Sequence, residues 1–116
     1  MKARNLTGGT ERVVAVVGDG SLSGGEAFEG LNVAATLRGN FVIVVNDNDM
    51  SIAENHGGLY ENLKLLRDTD GNAPLNYFKA LGLDYRYVAY GNDLTSLIDA
   101  FEEVKDLDHP VVVHVY

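Results

Sequence analysis

Cysteine is absent from the 116 residues of this chain. Disulfides, thiolate metal sites and a cysteine nucleophile are therefore excluded. Basic residues are few, 9 Lys and Arg against 17 Asp and Glu, for a formal net charge of −8. No basic stripe is available, so neither nucleic acid nor an anionic membrane surface is an expected partner. No apolar run approaches the ~20 residues of a membrane span, and the start carries no secretory apolar segment. The expected location is cytoplasmic. Two phosphate-binding signatures are also missing: the glycine-rich loop with a lysine, and G-x-G-x-x-G. What is present is a hydrophobic fraction of 46%, enough for one core. The length allows one domain or part of one.

The chain is organised around Gly18 to Asn48. An apolar β-branched run, Arg12 to Val17, ends in Gly18-Asp19-Gly20. A second run, Phe41 to Val45, ends in Asn46-Asp47-Asn48. Such runs mark strands buried on both faces of a helix-covered parallel sheet. Between them, Ser21 to Arg38 reads as a crossover helix, with Ser23 and Glu26 at capping-box spacing and Phe28, Leu31 and Ala35 on one face. Gly39 supplies its stop. Both polar clusters then lie at the carboxyl ends of neighbouring parallel strands, where open α/β sheets bind ligands.

Met1 to Glu11 is polar and glycine-containing, a lead-in segment or the tail of something earlier. Residues 12–116 read as part of a domain. Asn46 to Gly58 is a loop of the kind that often carries function. Leu59 to Arg67 reads as a short helix with Leu59, Leu63 and Leu66 on one face. Pro74 fits a first helical position, followed by a short helix over Asn76 to Leu81 ended by Gly82. Tyr85 to Tyr90 alternates toward strand, its tyrosines packing with wet hydroxyls. Asn92 or Asp93 caps a helix over Leu94 to Lys105, whose apolar face is Leu94, Leu97, Ile98 and Phe101. Val111 to Tyr116 is the last strand. The predicted fold class is α/β, a parallel sheet with helices on both faces.

The two polar clusters suit a divalent cation holding a phosphorylated cofactor. Mg²⁺ takes about six oxygens, usually one or two from the protein with waters and substrate phosphates making up the rest. Asp19 offers a charged oxygen and Asn48 a neutral one; a loop carbonyl is a third candidate. Gly20 and Ser21, at the start of the helix, offer N–H groups to a diphosphate. The plainer readings are helix capping for Asp19 and left-handed turn geometry for Asn46 and Asn48. His109 and His114 read as structural.

Gly18-Asp19-Gly20, about 25 residues, then Asn46-Asp47-Asn48 resembles the thiamine-diphosphate motif. "GDGSLSGGEAFEGLN" followed by "VNDNDMSIAEN" resembles the 1-deoxy-D-xylulose-5-phosphate synthase branch of the transketolase-like enzymes. The likeness is close from Arg12 to about Tyr60. It resumes more loosely at "LNYFKALGLDYRYVAYGND" and "DHPVVVHVY". It implies a partial thiamine-diphosphate-binding fold with thiamine diphosphate and Mg²⁺ as cofactors. Asp19, Asn48 and the main-chain carbonyl of Met50 would be the metal ligands. Gly20 and Ser21 would contact the diphosphate, and Ser51 and Ile52 would shape the loop beside the cofactor. The implied activity is two-carbon transfer from pyruvate to glyceraldehyde 3-phosphate, a step of isoprenoid biosynthesis. The family's pyrimidine-binding domain, which brings the activating glutamate, usually across a homodimer interface, has no counterpart here. The chain is therefore expected to anchor the cofactor, to contain no catalytic residue of its own and to be inactive alone.

Two departures from the family pattern stand out. The segment Asn62 to Pro74 is much shorter than in typical synthases. His56 falls one position after a substrate-contacting histidine of transketolases, and Asn55 takes that place. The alternatives are a transketolase fragment, a fragment of a 2-oxo acid dehydrogenase E1 subunit, and a non-catalytic phosphate-binding α/β module.

Overall fold

The computed structural model describes residues 1–50 and 54–116. The β-branched runs form the strands. β1 is Val13–Gly18, β2 Phe41–Asn46, β3 Asp84–Val88 and β4 Pro110–Val115. All are parallel, in the order β1-β2-β4-β3. Among the described residues six helices accompany them: α1 (Lys2–Thr7), α2 (Asp19–Leu22), α3 (Gly25–Ala34), α4 (Gly58–Asp68), α5 (Tyr77–Ala80) and α6 (Leu94–Val104).

Helices cover both faces, as the sequence predicts. On one face, Ile43, Val45 and Val112 meet Leu22, Leu31 and Ala34 of α2 and α3, Leu63 and Leu66 of α4, and Phe78 of α5. On the other, Val42, Val44, Val111, Val113 and Val115 meet Ala100 and Val104 of α6. The chain moves one way along the sheet through β1, β2 and β3, then turns back to β4. The helix of that last connection lies on the opposite face, as a shared crossover hand requires.

Several local expectations change. Residues 2–7, read as lead-in, form α1, ended by Gly8 at φ 69° and tied to the loop after α3 by Asn5 Nδ2 donating to the Arg38 carbonyl at 2.8 Å. The single crossover helix is two. Ser23 closes α2, and Gly24, extended at ψ 142°, opens α3 with no side-chain cap. The Ser23 hydroxyl instead receives the Tyr60 hydroxyl at 2.9 Å, so the predicted capping box does not form. Phe28 is half exposed. The buried face of α6 is Ala100 and Val104 with Leu97 beside them, while Leu94 and Ile98 face outward. Pro74 precedes the cap of α5 rather than opening the helix; Asn76 Oδ1 takes the N–H groups of Phe78 and Lys79. Asp93 caps α6 through the N–H of Ser96 at 2.8 Å.

Candidate functional site

The parallel register pairs Gly18 with Asn46, so the residues that follow, Asp19 and the Asp47–Met50 turn, leave the sheet side by side. Gly18 and Gly20 do not adopt positive φ. A Cβ at Gly18 would meet nothing within 4 Å, so open room lies against the end of β1. Asp19 is 4% exposed. Burying a carboxylate is costly unless it is paired, yet its side-chain partner here is the neutral amide of Asn55, donating to Oδ2 at 3.0 Å. No basic side chain pairs with it among the described residues. Asn55 therefore stands against the buried acid. His56 points to solvent, within 3.7 Å of Glu54.

Asn48 is exposed, and its Oδ1 accepts the N–H of Met50 at 3.1 Å. A carboxamide oxygen retains a second lone pair in that arrangement. Asp49, rather than the expected Asn46 or Asn48, takes the left-handed conformation, at φ 55°. Gly20 and Ser21 lie in α2, which is only four residues long. The dipole of a long helix is not available at that point, since α3 begins at Gly25. Any diphosphate contact there rests on individual N–H groups. Ser51 and Ile52 lie outside the described residues.

The middle residue of Asn-Asp-Asn turns the other way. Along an extended chain, side chains alternate between faces. Asp47 is accordingly 1% exposed between two exposed asparagines. Arg67 Nη1 donates to both of its oxygens, at 2.9 and 2.8 Å, and His114 Nε2–H donates to Oδ2 at 2.8 Å. His114 Nδ1 faces the Tyr85 hydroxyl at 2.7 Å. One tautomer gives every donor an acceptor: His114 donates from Nε2 and accepts from Tyr85 at Nδ1. The Tyr85 hydroxyl is thus held inside rather than wet. Burial, then the charges of Tyr87 and Asp47, push its phenol well above the usual range. Burial alone would raise the Asp47 carboxyl, but the hydrogen bonds from His114 and Arg67 outweigh it and hold the acid below its ordinary value. Sequence reading did not single out Asp47, and it takes the Lys64 to Arg67 charges as a solvated helix face, whereas the Arg67 side chain is 9% exposed and paired with Asp47. Their only visible signal was an acid inside a polar motif and a basic residue on a helix, and nothing in either announces a contact between them.

The family model described as 1-deoxy-D-xylulose-5-phosphate synthase matches residues 1–74 and 69–116. Its two segments meet in the turn between α4 and α5, inside the segment read as shortened. The chain is 38% identical to 1-deoxy-D-xylulose-5-phosphate synthase 1 of Geobacter sulfurreducens, over 97% of its own length and 23% of that relative. The aligned stretch is 149 residues, longer than this whole chain, so the relative carries extra residues within it. The synthase of Syntrophotalea carbinolica is 36% identical over 97% of this chain and 24% of that protein. For the synthase of Buchnera aphidicola the figures are 34%, 97% and 20%. The chain spans about a quarter of the length of the relatives it matches. Near-complete coverage by the family model, with relatives at these identities, places the chain: it belongs to the 1-deoxy-D-xylulose-5-phosphate synthase family.

Proposed function

We propose that this chain is the metal- and diphosphate-anchoring part of a thiamine-diphosphate-dependent two-carbon transferase. The observation that carries the reading is Asp19: a buried carboxylate with a neutral partner, at a strand end beside the Asn48–Met50 turn and the open room at Gly18. A cation supplies the positive charge that such a carboxylate lacks. The donor set fits Mg²⁺, with one charged oxygen from Asp19, a neutral one from Asn48 and the Met50 carbonyl, the rest coming from water and phosphate. Asn48 adds no repulsion against a diphosphate. Gly20 and Ser21 would hold the diphosphate through their N–H groups, and Ser51 and Ile52 would border it.

When bound, thiamine diphosphate supplies a nucleophilic thiazolium carbon and an electron sink. This chain's residues bind and orient; none is assigned a proton transfer. In the whole protein the substrates would be pyruvate and glyceraldehyde 3-phosphate, with the pyrimidine-binding domain and a homodimer partner completing the site. No helix of the described residues is long and apolar enough to cross a membrane. A cytoplasmic enzyme of isoprenoid precursor synthesis is the setting we propose.

The test is calorimetric titration of thiamine diphosphate with Mg²⁺ into the chain, into Asp19→Ala, and a parallel titration with ATP. Binding of the thiamine cofactor is expected, lost in Asp19→Ala and on metal removal by a chelator. Binding of ATP with no binding of the thiamine cofactor would replace the reading with a general phosphate-binding module.

A further inference from the structure

We infer that Asp47, clamped by Arg67 and His114, is a positioning residue that fixes the direction of the Asn48 carboxamide. The inference rests on the functional reading above for what Asn48 does, and on geometry of its own for how Asn48 is held. Four elements converge on this one carboxylate: it directly follows β2, α4 brings Arg67, β4 brings His114, and β3 brings the Tyr85 hydroxyl that locks His114. The Asp47 and His114 side chains are both 0% exposed, and Arg67 is 9% exposed.

Each oxygen of Asp47 is fully used. Oδ2 takes Arg67 Nη1 and His114 Nε2; Oδ1 takes Arg67 Nη1 and, at 3.2 Å, the N–H of Asp49. Its own N–H donates to the Val115 carbonyl at 2.8 Å. Asp47 therefore has no oxygen to spare for a metal, although it is the sole acid of Asn-Asp-Asn. What it does is hold the turn. The second arm of Arg67, Nη2, reaches Asp49 Oδ1 at 3.0 Å, and its guanidinium lies 5.3 Å from the centre of the Tyr116 ring. One planar fork thus grips residues 47 and 49, on either side of Asn48. Asp49 is held at φ 55°, a conformation that non-glycine residues seldom adopt. With both neighbours fixed, the Asn48 side chain is left exposed on the outer side of the turn, its Oδ1 on the N–H of Met50 at 3.1 Å. A lysine cannot reproduce this, because it is a single point charge without a fork.

The experiment uses backbone ¹⁵N relaxation of the ligand-free chain, followed by titration of thiamine diphosphate with Mg²⁺. The variants are Arg67→Lys and, as a control for general destabilisation, Val104→Ala on the opposite face. In the parent chain the Asn48 and Asp49 amides are expected to be rigid, with order parameters near about 0.85. Arg67→Lys should drop them below about 0.6 while β4 amides stay unchanged. Val104→Ala should lower the melting temperature and leave Asn48 and Asp49 rigid. Cofactor affinity should fall at least about tenfold in Arg67→Lys and stay within about twofold in Val104→Ala, as a lost bidentate grip predicts. Rigid Asn48 and Asp49 amides in Arg67→Lys would overturn the inference, as would unchanged affinity where the parent chain binds. If the parent binds no thiamine cofactor, the functional reading fails and the relaxation data alone decide the positioning role. Asp47→Asn is the harsher variant, since it removes the buried counter-charge of Arg67 and leaves it only the exposed Asp49.

Discussion

β1 and β4 have nearly the same sequence character and opposite surroundings. Both are runs of valine with hardly a polar interruption. β4 lies between β2 and β3, and all six of its residues are buried. β1 lies at the sheet edge. Its Ala15 and Val17 pack toward α2 and α3, but Val14 and Val16 are 57% and 71% exposed, and no residue of β1 joins the buried cluster that α6 forms with the other strands. A continuous β-branched run therefore specifies a strand without specifying its place. The expectation that β1 is buried on both faces does not hold among the described residues; the same expectation holds for β4.

The sharpest way to test that comparison is one substitution made in both strands. Val113→Asp buries an unpaired charge and should cost about 4 kcal/mol or more, enough to unfold a marginal domain. Val16→Asp should cost about 1 kcal/mol or less, mostly strand propensity. Urea denaturation of the two variants measures both, and equal losses would mean that Val16 is as covered as Val113. A smaller effect probes the other edge. β3 differs from β1 in sending a side chain inward to a polar partner, so Tyr85→Phe should leave His114 Nδ1 buried without its donor. The expected loss is about 1–2 kcal/mol, read from the same denaturation curves; no loss would show that the hydroxyl is replaceable.

The smallest effect concerns how the two strands begin. β1 starts beside an exposed ion pair, Arg12 with Asp106 at 3.1 Å. β4 starts beside His109, whose Nδ1 meets Asp108 at 2.9 Å and whose Nε2 meets Asp84 of β3 at 2.6 Å. Hydrogen bonds to Asp108 and then Asp84 raise the imidazole above its ordinary value. A raised folded-state value means the stabilisation is complete below about pH 6.5 and is lost as pH rises through the folded value. Thermal melts of the parent chain should therefore lose ground against His109→Gln between about pH 6 and about pH 8. The site is largely exposed, so the change is small. A pH-independent difference would show that His109 contributes packing alone.

Much of the fold was legible because its signals are local. The strands follow from β-branched runs, α4 from Leu59, Leu63 and Leu66, and the cap at Asp93 from a side chain that bonds three residues ahead. Local signals were also where reading erred. Ser23 and Glu26 have capping-box spacing, but the Ser23 hydroxyl is taken by Tyr60, 37 residues away. The face of α6 was misjudged because Ala100, small and inconspicuous, sits against the sheet while Leu94 and Ile98 do not. At the candidate site, Asp19 and Asn48 were legible as oxygen donors at strand ends. Asp47 was not, because its partners stand 20 and 67 residues away.

By itself the sequence determined the strand–turn–helix order, the two polar clusters at neighbouring strand ends, and the family to which they belong. Those depend on residue type and short spacing, which the chain carries wherever it goes. Tertiary structure decided which strand lies at an edge, which face of each helix is buried, and which acid of the loop is turned inward. The last depends on strand alternation together with the arrival of Arg67 and His114 from distant elements. Only packing brings a buried carboxylate and its two donors within 3 Å of one another.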